Sequence, residues 1–301
     1  MNFNQLELLR FLQETDFNLS KAGDKLNVVQ SAASRQVQLL EEELGSPLLQ
    51  RSGKKLVGFT ALGDKILHEI EIIDLARRNI HNIARDYKNN RNGTLRIATT
   101  HSQAKYFLPE SIGRFRDEYP QISIYMVQSS PDQIIDLLHR HQAELAICTE
   151  KLDEDEKLVI LPCYDWHHIA IVPKDHPLNR DHITLEQLAD CQLLTYSTGF
   201  TGYSNIEKAF REAGLTLDVT LSAADSDVIK TYVRQGLGVG IIASTCYENK
   251  NDRDLAAIDL SHLIPKSRTK IAFLKQLYLP GFLQYFIGLL QAKSNLNARS
   301  A

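Results

Sequence analysis

The sequence has 301 residues, with 34 basic residues against 37 acidic ones, a formal net charge of -3 and 43% hydrophobic residues. At about 150 residues per domain, this length predicts two domains that each bury a core. The composition excludes disordered and collagen-like chains. The charge balance argues against a surface coated with basic residues for nucleic acid, membranes or acidic partners.

The four cysteines are scattered and form no C-x-x-C pair, so the sequence predicts neither a zinc ribbon nor a thioredoxin-like motif. Scattered thiols fit a reducing compartment, where they act as small buried hydrophobes. The N-terminus has no basic segment followed by an apolar one, and no apolar run approaches about 18 residues. We therefore predict a soluble, cytoplasmic protein with no membrane partner.

Residues 19–37 have the pattern of a helix-turn-helix, two short helices joined by Leu26, Asn27 and Val28. Asn tolerates the left-handed conformation that such a turn needs. If the second helix begins near Gln30, its N-terminal end exposes the side chains that would reach base edges: Gln30, Ser31, Ser34 and Arg35. Gln and Arg can make bidentate contacts to adenine and guanine, and Ser can bond to a phosphate or a base.

Residues 50–60 carry three cations, two glycines and no acid between apolar flanks. This composition is typical of the two-stranded wing of a winged helix, with Arg51, Lys54 and Lys55 set against phosphates. A solvated polar hairpin is the alternative interpretation. The preceding helices favour the DNA interpretation.

Residues 60–87 predict one long helix, because Ile66, Ile73, Ile80 and Tyr87 fall seven residues apart. About 28 residues would span roughly 40 Å, which is longer than a small domain needs. An ordinary surface helix is the alternative. We predict a helix that dimerises through its narrow apolar seam.

After Gly93 the pattern alternates between strands and helices, which indicates βαβ units and a parallel sheet covered by helices. In residues 95–109 a strand leads through hydroxyl and amide side chains into a helix. There Thr100, Ser102 and Gln103 can add donors to the free N–H groups of a helix N-terminus, which is a place to bind a small anion without a fixed cation. Ordinary helix caps use the same residue types and are the alternative.

The N-terminal 87 residues resemble the DNA-binding module of LysR-type transcriptional regulators, through the motifs SAASRQ at 31–36, LEEELG at 40–45 and FTALG at 59–63. The resemblance runs along essentially the whole chain. It implies an α/β fold class in three parts: an N-terminal winged helix-turn-helix at 1–60, a long linker and dimerisation helix at 61–92, and a C-terminal effector-binding domain at 93–301. That domain would have the two-subdomain, type II periplasmic-binding-protein fold, with subdomain I at about 93–162 and 267–301 and subdomain II at about 163–266.

One departure from the family lies at Val29, where Ser or Thr is common before the Gln that opens the recognition helix. Val can neither cap a helix nor bond to a phosphate. The contacts of the first turn could therefore be reorganised in this chain.

Three motifs resemble the CysB/Cbl-like, cysteine-regulon branch of the family: TTHSQAKYFLP at 99–109, GFTG at 199–202 and DSDVIKTYV at 225–233. In that branch a sulfate-like anion or an acylated serine lies in the cleft between the subdomains. Carried over position by position, the resemblance implies the effector-binding residues Thr100, Ser102, Gln103, Thr149, Trp166 and Thr201. It also implies promoter DNA, a second copy of the chain in a homodimer or homotetramer, and RNA polymerase as partners.

We predict no enzyme, no metal and no cofactor apart from the small-molecule effector. The histidines His101, His167 and His168 have no Cys or carboxylate at a recognisable metal-ligand spacing. Ser102 and Ser204 lie outside a G-x-S-x-G elbow. Two alternatives stay open: a solute-binding protein for sulfate-like anions, and a LysR-type regulator that answers to a different sulfur or nitrogen metabolite.

Overall fold

The structure, a computed structural model, describes residues 1–53, 55–88, 92–149, 151–180, 182–200 and 202–297; for residues 154 and 293–297 it describes the backbone only. The chain divides into two compact units, Met1–His81 and Asn82–Ala301. Each unit has its own hydrophobic core. No helix of the described part of the chain is long and apolar enough to cross a bilayer.

The first unit contains a winged helix-turn-helix. In chain order its elements are α1 (Phe3–Glu14), α2 (Leu19–Lys25), α3 (Gln30–Leu44), β1 (Leu49–Ser52), β2 (Lys55–Phe59) and the start of α4 (Ala61–Tyr87). The two strands pair antiparallel as the wing. The predicted start of the second helix at Gln30 and the predicted N-terminal architecture are confirmed.

The turn between α2 and α3 depends on two residues that tolerate unusual geometry. Asn27 adopts a left-handed conformation with φ of 56°. A Cβ on Gly23 would lie 2.7 Å from the carbonyl oxygen of Val28, so only glycine lets α2 approach the turn this closely. The turn fixes how α3 is presented beside α2.

The long helix α4 has 27 residues, and its first half packs into the core of the first unit through Leu67 and Ile70. Further along the predicted seam the apolar side chains are exposed, with Ile80 at 66%, Ile83 at 49% and Tyr87 at 91%. An apolar seam that stays in water is the feature that a dimerisation helix shows before it meets its partner.

The second unit is built from strands and helices around two sheets. Its elements in chain order are β3 (Gly93–Thr99), α5 (Leu108–Glu118), β4 (Ile122–Gln128), α6 (Pro131–His139), β5 (Leu145–Cys148), β6 (Leu158–Trp166), β7 (His168–Pro173), α7 (Leu185–Ala189), β8 (Leu193–Tyr196), α8 (Tyr203–Glu212), β9 (Val219–Ala223), α9 (Ser226–Arg234), β10 (Val239–Ala243), β11 (Leu255–Asp259), β12 (Ser267–Leu274) and α10 (Gly281–Asn297). A π-helical turn, Gln103–Phe107, precedes α5.

Both sheets are mixed, so the prediction of a parallel sheet is wrong in part. The strand orders are β4-β3-β5-β12-β6 and β11-β7-β10-β8-β9. In the first sheet β3 is parallel to β4 and β5, whereas β12 is antiparallel to β5 and β6. In the second sheet β8 is parallel to β9 and β10, whereas β7 is antiparallel to β10 and β11.

The antiparallel strands arise where the chain passes between the sheets. It leaves the first sheet at Trp166, enters the second at His168, and returns between Asp259 and Ser267. Strand β6 therefore continues past the predicted subdomain boundary at residue 162. Two crossing segments join the two sheet layers, which is the connectivity of a hinged two-lobed fold.

Candidate functional sites

The predicted DNA-reading side chains all lie on the exposed side of α3. Helix α3 buries Ala33, Val37 and Leu40 against the core. The opposite side exposes the predicted reading residues Gln30, Ser31, Ser34 and Arg35. Arg35 Nη1 lies 3.5 Å from Glu42 Oε1 in an ion pair that is exposed on both sides. Such a pair is weak, so the Arg35 guanidinium can leave it for a base or a phosphate.

Val29 is the N-cap residue of α3, and its side chain makes no cap hydrogen bond. It is 70% exposed. The first N–H groups of a helix have no partner inside the helix, and here no side chain at the cap covers them. The positive end of the helix dipole therefore stands open beside the predicted reading residues.

The wing presents Arg51 and Lys55 as exposed side chains, whereas Lys54 lies outside the described residues. Glu41 of α3 holds the wing in place, because its Oε1 accepts hydrogen bonds from the backbone N–H of Leu48 at 2.7 Å and of Leu49 at 3.1 Å. Sequence reasoning missed this role of Glu41. A Glu that spans seven and eight residues to backbone donors leaves no local spacing signal.

The predicted effector-binding residues that the structure describes are buried, and three of them lie at the ends of strands. Thr100 follows β3, Thr149 follows β5 and Trp166 ends β6. The carboxyl ends of adjacent parallel strands meet at one edge of a sheet, which is where α/β proteins bind ligands. The exposed fractions are low for the described members of the set: Thr100 2%, Ser102 5%, Gln103 2%, Thr149 7% and Trp166 3%. Thr201 lies outside the described residues.

Two residues that sequence reasoning missed hold part of this set together. Gln103 Nε2 donates to Thr269 Oγ1 at 3.2 Å, and Thr149 Oγ1 lies 3.3 Å from the same oxygen. The Tyr164 hydroxyl donates to Gln103 Oε1 at 2.6 Å. Burial raises the pKa of Tyr164 well above its ordinary value, so the phenol stays protonated. Thr269 and Tyr164 therefore fix the orientation of the Gln103 amide.

The remaining described members differ in how their polar atoms are used. Ser102 is 5% exposed and lies near Cys246, a thiol whose pKa is raised by burial. Thr100 Oγ1 and Trp166 Nε1 have no hydrogen-bond partner among the described residues. The set offers neutral hydroxyl, amide and indole groups, and none of its members carries a charge.

A cluster of charged residues joins the two lobes next to this set. Asp227, at the start of α9, accepts hydrogen bonds from Lys105 Nζ at 2.7 Å and the Tyr106 hydroxyl at 2.6 Å. His101 Nε2 lies 3.3 Å from the other carboxylate oxygen. Burial by itself would raise the pKa of Asp227, but the hydrogen bonds from Lys105 and Tyr106 outweigh it and lower the pKa to about 2. The carboxylate is therefore charged at neutral pH.

Lys230 lies one turn after Asp227 on α9 and is 3% exposed. Its Nζ donates to the Tyr106 hydroxyl, the Cys246 carbonyl and Asp252 Oδ2, each at 2.9 Å. All three donors of the ammonium group are therefore used. The stretch DSDVIKTYV at 225–233 thus supplies two charged residues, Asp227 and Lys230, that both bond to Tyr106 of the other lobe. It also supplies the start of α9.

Ligand atoms of His101, Asp225 and Asp227 lie within 4.8 Å of one another, a grouping that sequence spacing could not reveal. These three side chains already interact with other groups of the protein. His101 Nδ1 lies 3.2 Å from Gln128 Oε1, and Asp225 Oδ1 accepts the N–H groups of Asp227 and Val228 as the cap of α9. His167 Nε2 lies 3.5 Å from Asp259 Oδ1. We assign no metal site to these residues.

Both parts of the chain match known families. The model described as "Bacterial regulatory helix-turn-helix protein, lysR family" matches residues 3–64, and the model described as "LysR substrate binding domain" matches residues 88–295. These two matches cover the winged helix and the two-lobed unit. The winged helix and the two-lobed unit are therefore parts of a transcriptional regulator rather than of an enzyme.

Individual relatives point to one branch of that family. The HTH-type transcriptional regulator SsuR of Burkholderia cenocepacia is 40% identical over 283 residues, 94% of this chain and 92% of SsuR. The regulator CysB of the same organism is 38% identical over 296 residues, 98% of this chain and 95% of CysB. The solved cofactor-binding domain of the Cbl transcriptional regulator is 38% identical with a TM-score of 0.64, over 69% of this chain and 93% of that domain. The chain therefore belongs to the LysR family of DNA-binding transcriptional regulators, in its CysB/Cbl-like branch.

Proposed function

We propose that the chain controls genes of sulfur assimilation and cysteine biosynthesis, and that a small anion or an acylserine in the inter-lobe cleft switches it. The observation that carries the proposal is the Thr100 hydroxyl, which is buried without a partner among the described residues. Sulfate, thiosulfate, O-acetylserine and N-acetylserine are the proposed effectors. The similarity to SsuR, Cbl and CysB supports the assignment to sulfur genes.

The side chains of the cleft suit a small anion that is bound by neutral donors and not by a charged side chain. A buried polar group without a partner costs about 1–3 kcal/mol, which a bound ligand can recover. Thr100 and Trp166 offer such groups, and the helical segment that follows Thr100 adds the N–H groups of a helix start, which have no partner inside the helix. A fixed cation is not needed, because several neutral donors can replace the hydration shell of one small anion.

Effector binding would act on the contacts that join the lobes. Asp227 bonds to Lys105 and Tyr106, which lie shortly after Gln103 along the chain. On the other crossing segment, Asn205 Nδ2 donates to Ser267 Oγ at 2.8 Å. A ligand that binds the closed arrangement more tightly than the open one shifts the population towards closure by its difference in affinity.

Closure of the two lobes would affect DNA binding through the oligomer that the chain forms. The exposed apolar side chains Ile80, Ile83 and Tyr87 of α4 suit pairing with a second copy in a homodimer. Two effector-domain pairs would then meet in a homotetramer, and a change in how they meet would alter the spacing of the DNA-reading heads. RNA polymerase is the proposed downstream partner at the promoter. The only small molecule in this mechanism is the effector, and no resident cofactor is involved.

Titration calorimetry tests the effector part of the proposal on the full-length protein. Sulfate, thiosulfate, O-acetyl-L-serine and N-acetyl-L-serine are titrated separately, with folding checked by circular dichroism. We expect at least one of them to bind and to change DNA affinity or DNA bending in gel-shift assays. Failure of all four to bind the folded protein would sink the effector assignment.

Promoter mapping tests the sulfur part independently. Bound promoters are mapped in cells grown with and without sulfate or cysteine. We expect occupancy at genes for sulfur uptake and cysteine synthesis to change with the sulfur source. Occupancy confined to other genes would favour the alternative of a regulator that answers to a different metabolite.

A further inference from the structure

Val29 is an apolar side chain that the fold leaves in water at the start of α3. It is 70% exposed, whereas its neighbour Val28 packs against the core of the first unit. The backbone at Val29 is extended, with φ of -71° and ψ of 153°, and consecutive side chains of an extended chain point to opposite sides. Burial of Val28 in the core therefore turns Val29 outwards.

Helix capping does not account for a valine at this position either. Val29 is the N-cap residue of α3, and its side chain makes no cap hydrogen bond. By contrast, Asn2, Asn18 and Asp225 cap α1, α2 and α9 through their side chains. Valine is among the least favoured N-cap residues, because it has no oxygen that could accept an N–H bond. Neither burial nor capping therefore selects a valine here.

The position of Val29 places it next to the bases that α3 would read. It directly precedes Gln30 and Ser31, which are exposed reading residues. A recognition helix contacts base edges with the residues of its N-terminal end. The N–H of Ala33 donates to the Val29 carbonyl at 3.0 Å, so Val29 is tied to the first turn of the helix. An apolar side chain is therefore carried into the major groove together with the polar ones.

The major groove contains one apolar group that a valine can contact. Thymine carries a C5-methyl group there, and proteins detect it through apolar side chains. Valine presents two methyl groups on a stiff χ1 torsion, so the contact costs little rotamer freedom. Against a cytosine or a phosphate, the same side chain would cover polar atoms without offering a hydrogen bond. An exposed valine at this place thus favours thymine over the other bases.

We propose that Val29 is a specificity-determining residue, which contacts the methyl group of one thymine for each recognition helix. The polar reading residues detect the donors and acceptors of neighbouring bases, and Val29 adds an apolar contact at the leading end of α3. The contact requires no effector, so it is independent of the effector part of the proposed function.

Replacement of thymine by deoxyuridine tests the contact, because it removes the C5-methyl group and keeps the hydrogen bonds of the base pair. The binding site of the full-length wild-type protein is first selected from random DNA. Each thymine of that site is then replaced in turn, and gel shifts at one fixed salt concentration measure the affinity. We expect one thymine per recognition helix at which the replacement weakens wild-type binding about fourfold, the effect of one methyl-sized group that is no longer buried.

Two substitutions connect that thymine to Val29. Val29→Ala removes both methyl groups of the side chain, and Val29→Ser removes them and adds a hydroxyl that can cap α3. We expect Val29→Ala to bind the thymine site about fourfold more weakly than wild type. Both variants should bind thymine and deoxyuridine equally at this position. We expect Val29→Ser to unfold at a higher temperature than wild type, so its loss of thymine preference would not reflect a damaged helix.

Val57 provides the matched control, because it is a valine of the wing that is 53% exposed. Val57→Ala should keep the fourfold loss for deoxyuridine at the same position. A wild-type protein that tolerates deoxyuridine at every position of its site would overturn the role of Val29. A loss that persists unchanged in Val29→Ala and Val29→Ser would overturn it as well, because the methyl group would then contact a different residue.

Discussion

The reading face of α3 and the effector cluster are both made of small polar side chains, yet the fold places them in opposite environments. Gln30, Ser31 and Ser34 are exposed to water, and Arg35 shares an exposed ion pair with Glu42. Thr100 and Trp166 are 2% and 3% exposed, with polar atoms that have no partner among the described residues. An exposed polar group is hydrogen-bonded to water and does not lower the free energy of unfolding. A buried polar group without a partner does lower it, until a ligand supplies the missing hydrogen bond.

Substitutions at these two places should therefore change different properties of the protein. A change on the reading face should alter DNA binding and leave the free energy of unfolding unchanged. A change in the buried cluster should alter effector binding and the free energy of unfolding together.

The largest effect is expected where a buried charge loses its partner. Asp252 is 2% exposed and pairs with the buried Lys230 at 2.9 Å and with Arg234 at 2.7 Å. Asp252→Ala leaves the Lys230 ammonium buried without this carboxylate, so we expect the free energy of unfolding to fall by about 3–5 kcal/mol. Chemical denaturation of the full-length protein measures it.

An exposed ion pair in the same lobe is the matched control for Asp252. Lys208 and Glu212 face each other on α8 at 3.8 Å, with both side chains more than half exposed. Glu212→Ala should change the free energy of unfolding by about 0.3–0.5 kcal/mol only. Similar losses for Asp252→Ala and Glu212→Ala would contradict the role of burial.

The next effect concerns the Thr100 hydroxyl. Thr100→Val keeps the shape of the side chain and removes an oxygen that has no partner among the described residues. We expect effector affinity to fall by about 1–3 kcal/mol, while the unfolding free energy without ligand rises, because the variant no longer buries an unpaired hydroxyl. Calorimetry and denaturation measure the two quantities. A loss of stability without ligand would show that the hydroxyl already has a partner in the free protein.

The reading face allows a comparison of two cations. Arg35 lies on α3 and Lys55 lies on the wing, and both are exposed. Arg35→Ala should relax sequence preference by about 1–3 kcal/mol, whereas Lys55→Ala should weaken binding to all sequences alike and reduce the salt slope by about 1. Gel shifts with matched and mismatched sites across a salt series separate the two effects. Identical behaviour of both variants would contradict the assignment of α3 as the reading helix.

The sequence predicted local features well. The helix start at Gln30, the left-handed Asn27, the wing and the length of α4 all follow from residue types and spacings within a few turns of chain. These features depend on capping, turn chemistry and periodicity, which act over short distances. The alternation of strands and helices after Gly93 was predicted for the same reason.

Features that depend on distant partners were not predicted. Strand β6 contains Pro162, which falls next to an irregularity in its pairing with β12, and a proline within an apolar run hides a strand from sequence patterns. Thr269 reaches Gln103 across 166 positions of sequence, and Asp227 reaches His101 across 126. Such contacts follow from sheet order, because sequence spacing carries no information on which strands become neighbours.

The smallest predicted effect is a pH dependence at the lobe contact, where a charge is partly open to water. Because the hydrogen bonds from Lys105 and Tyr106 hold the pKa of Asp227 at about 2, against about 3.9 in an unfolded chain, the folded state binds fewer protons than the unfolded state. The contact therefore stabilises the fold fully above the unfolded pKa, and this stabilisation is lost as the pH falls from about 4 towards about 2.

Asp227→Asn isolates that contribution. We expect the variant to be less stable than wild type at neutral pH, and we expect the difference to shrink as the pH is lowered below about 4, because the wild-type carboxyl then becomes protonated as well. Denaturation series between pH 7 and pH 3 measure the difference. Added salt should reduce it at neutral pH, since the Asp227 side chain is 31% exposed and the Lys105 side chain is 47% exposed. A difference that stays constant across the whole pH range would mean that Asp227 acts by shape and not by charge, and the lobes would then be joined without an electrostatic contact at this position.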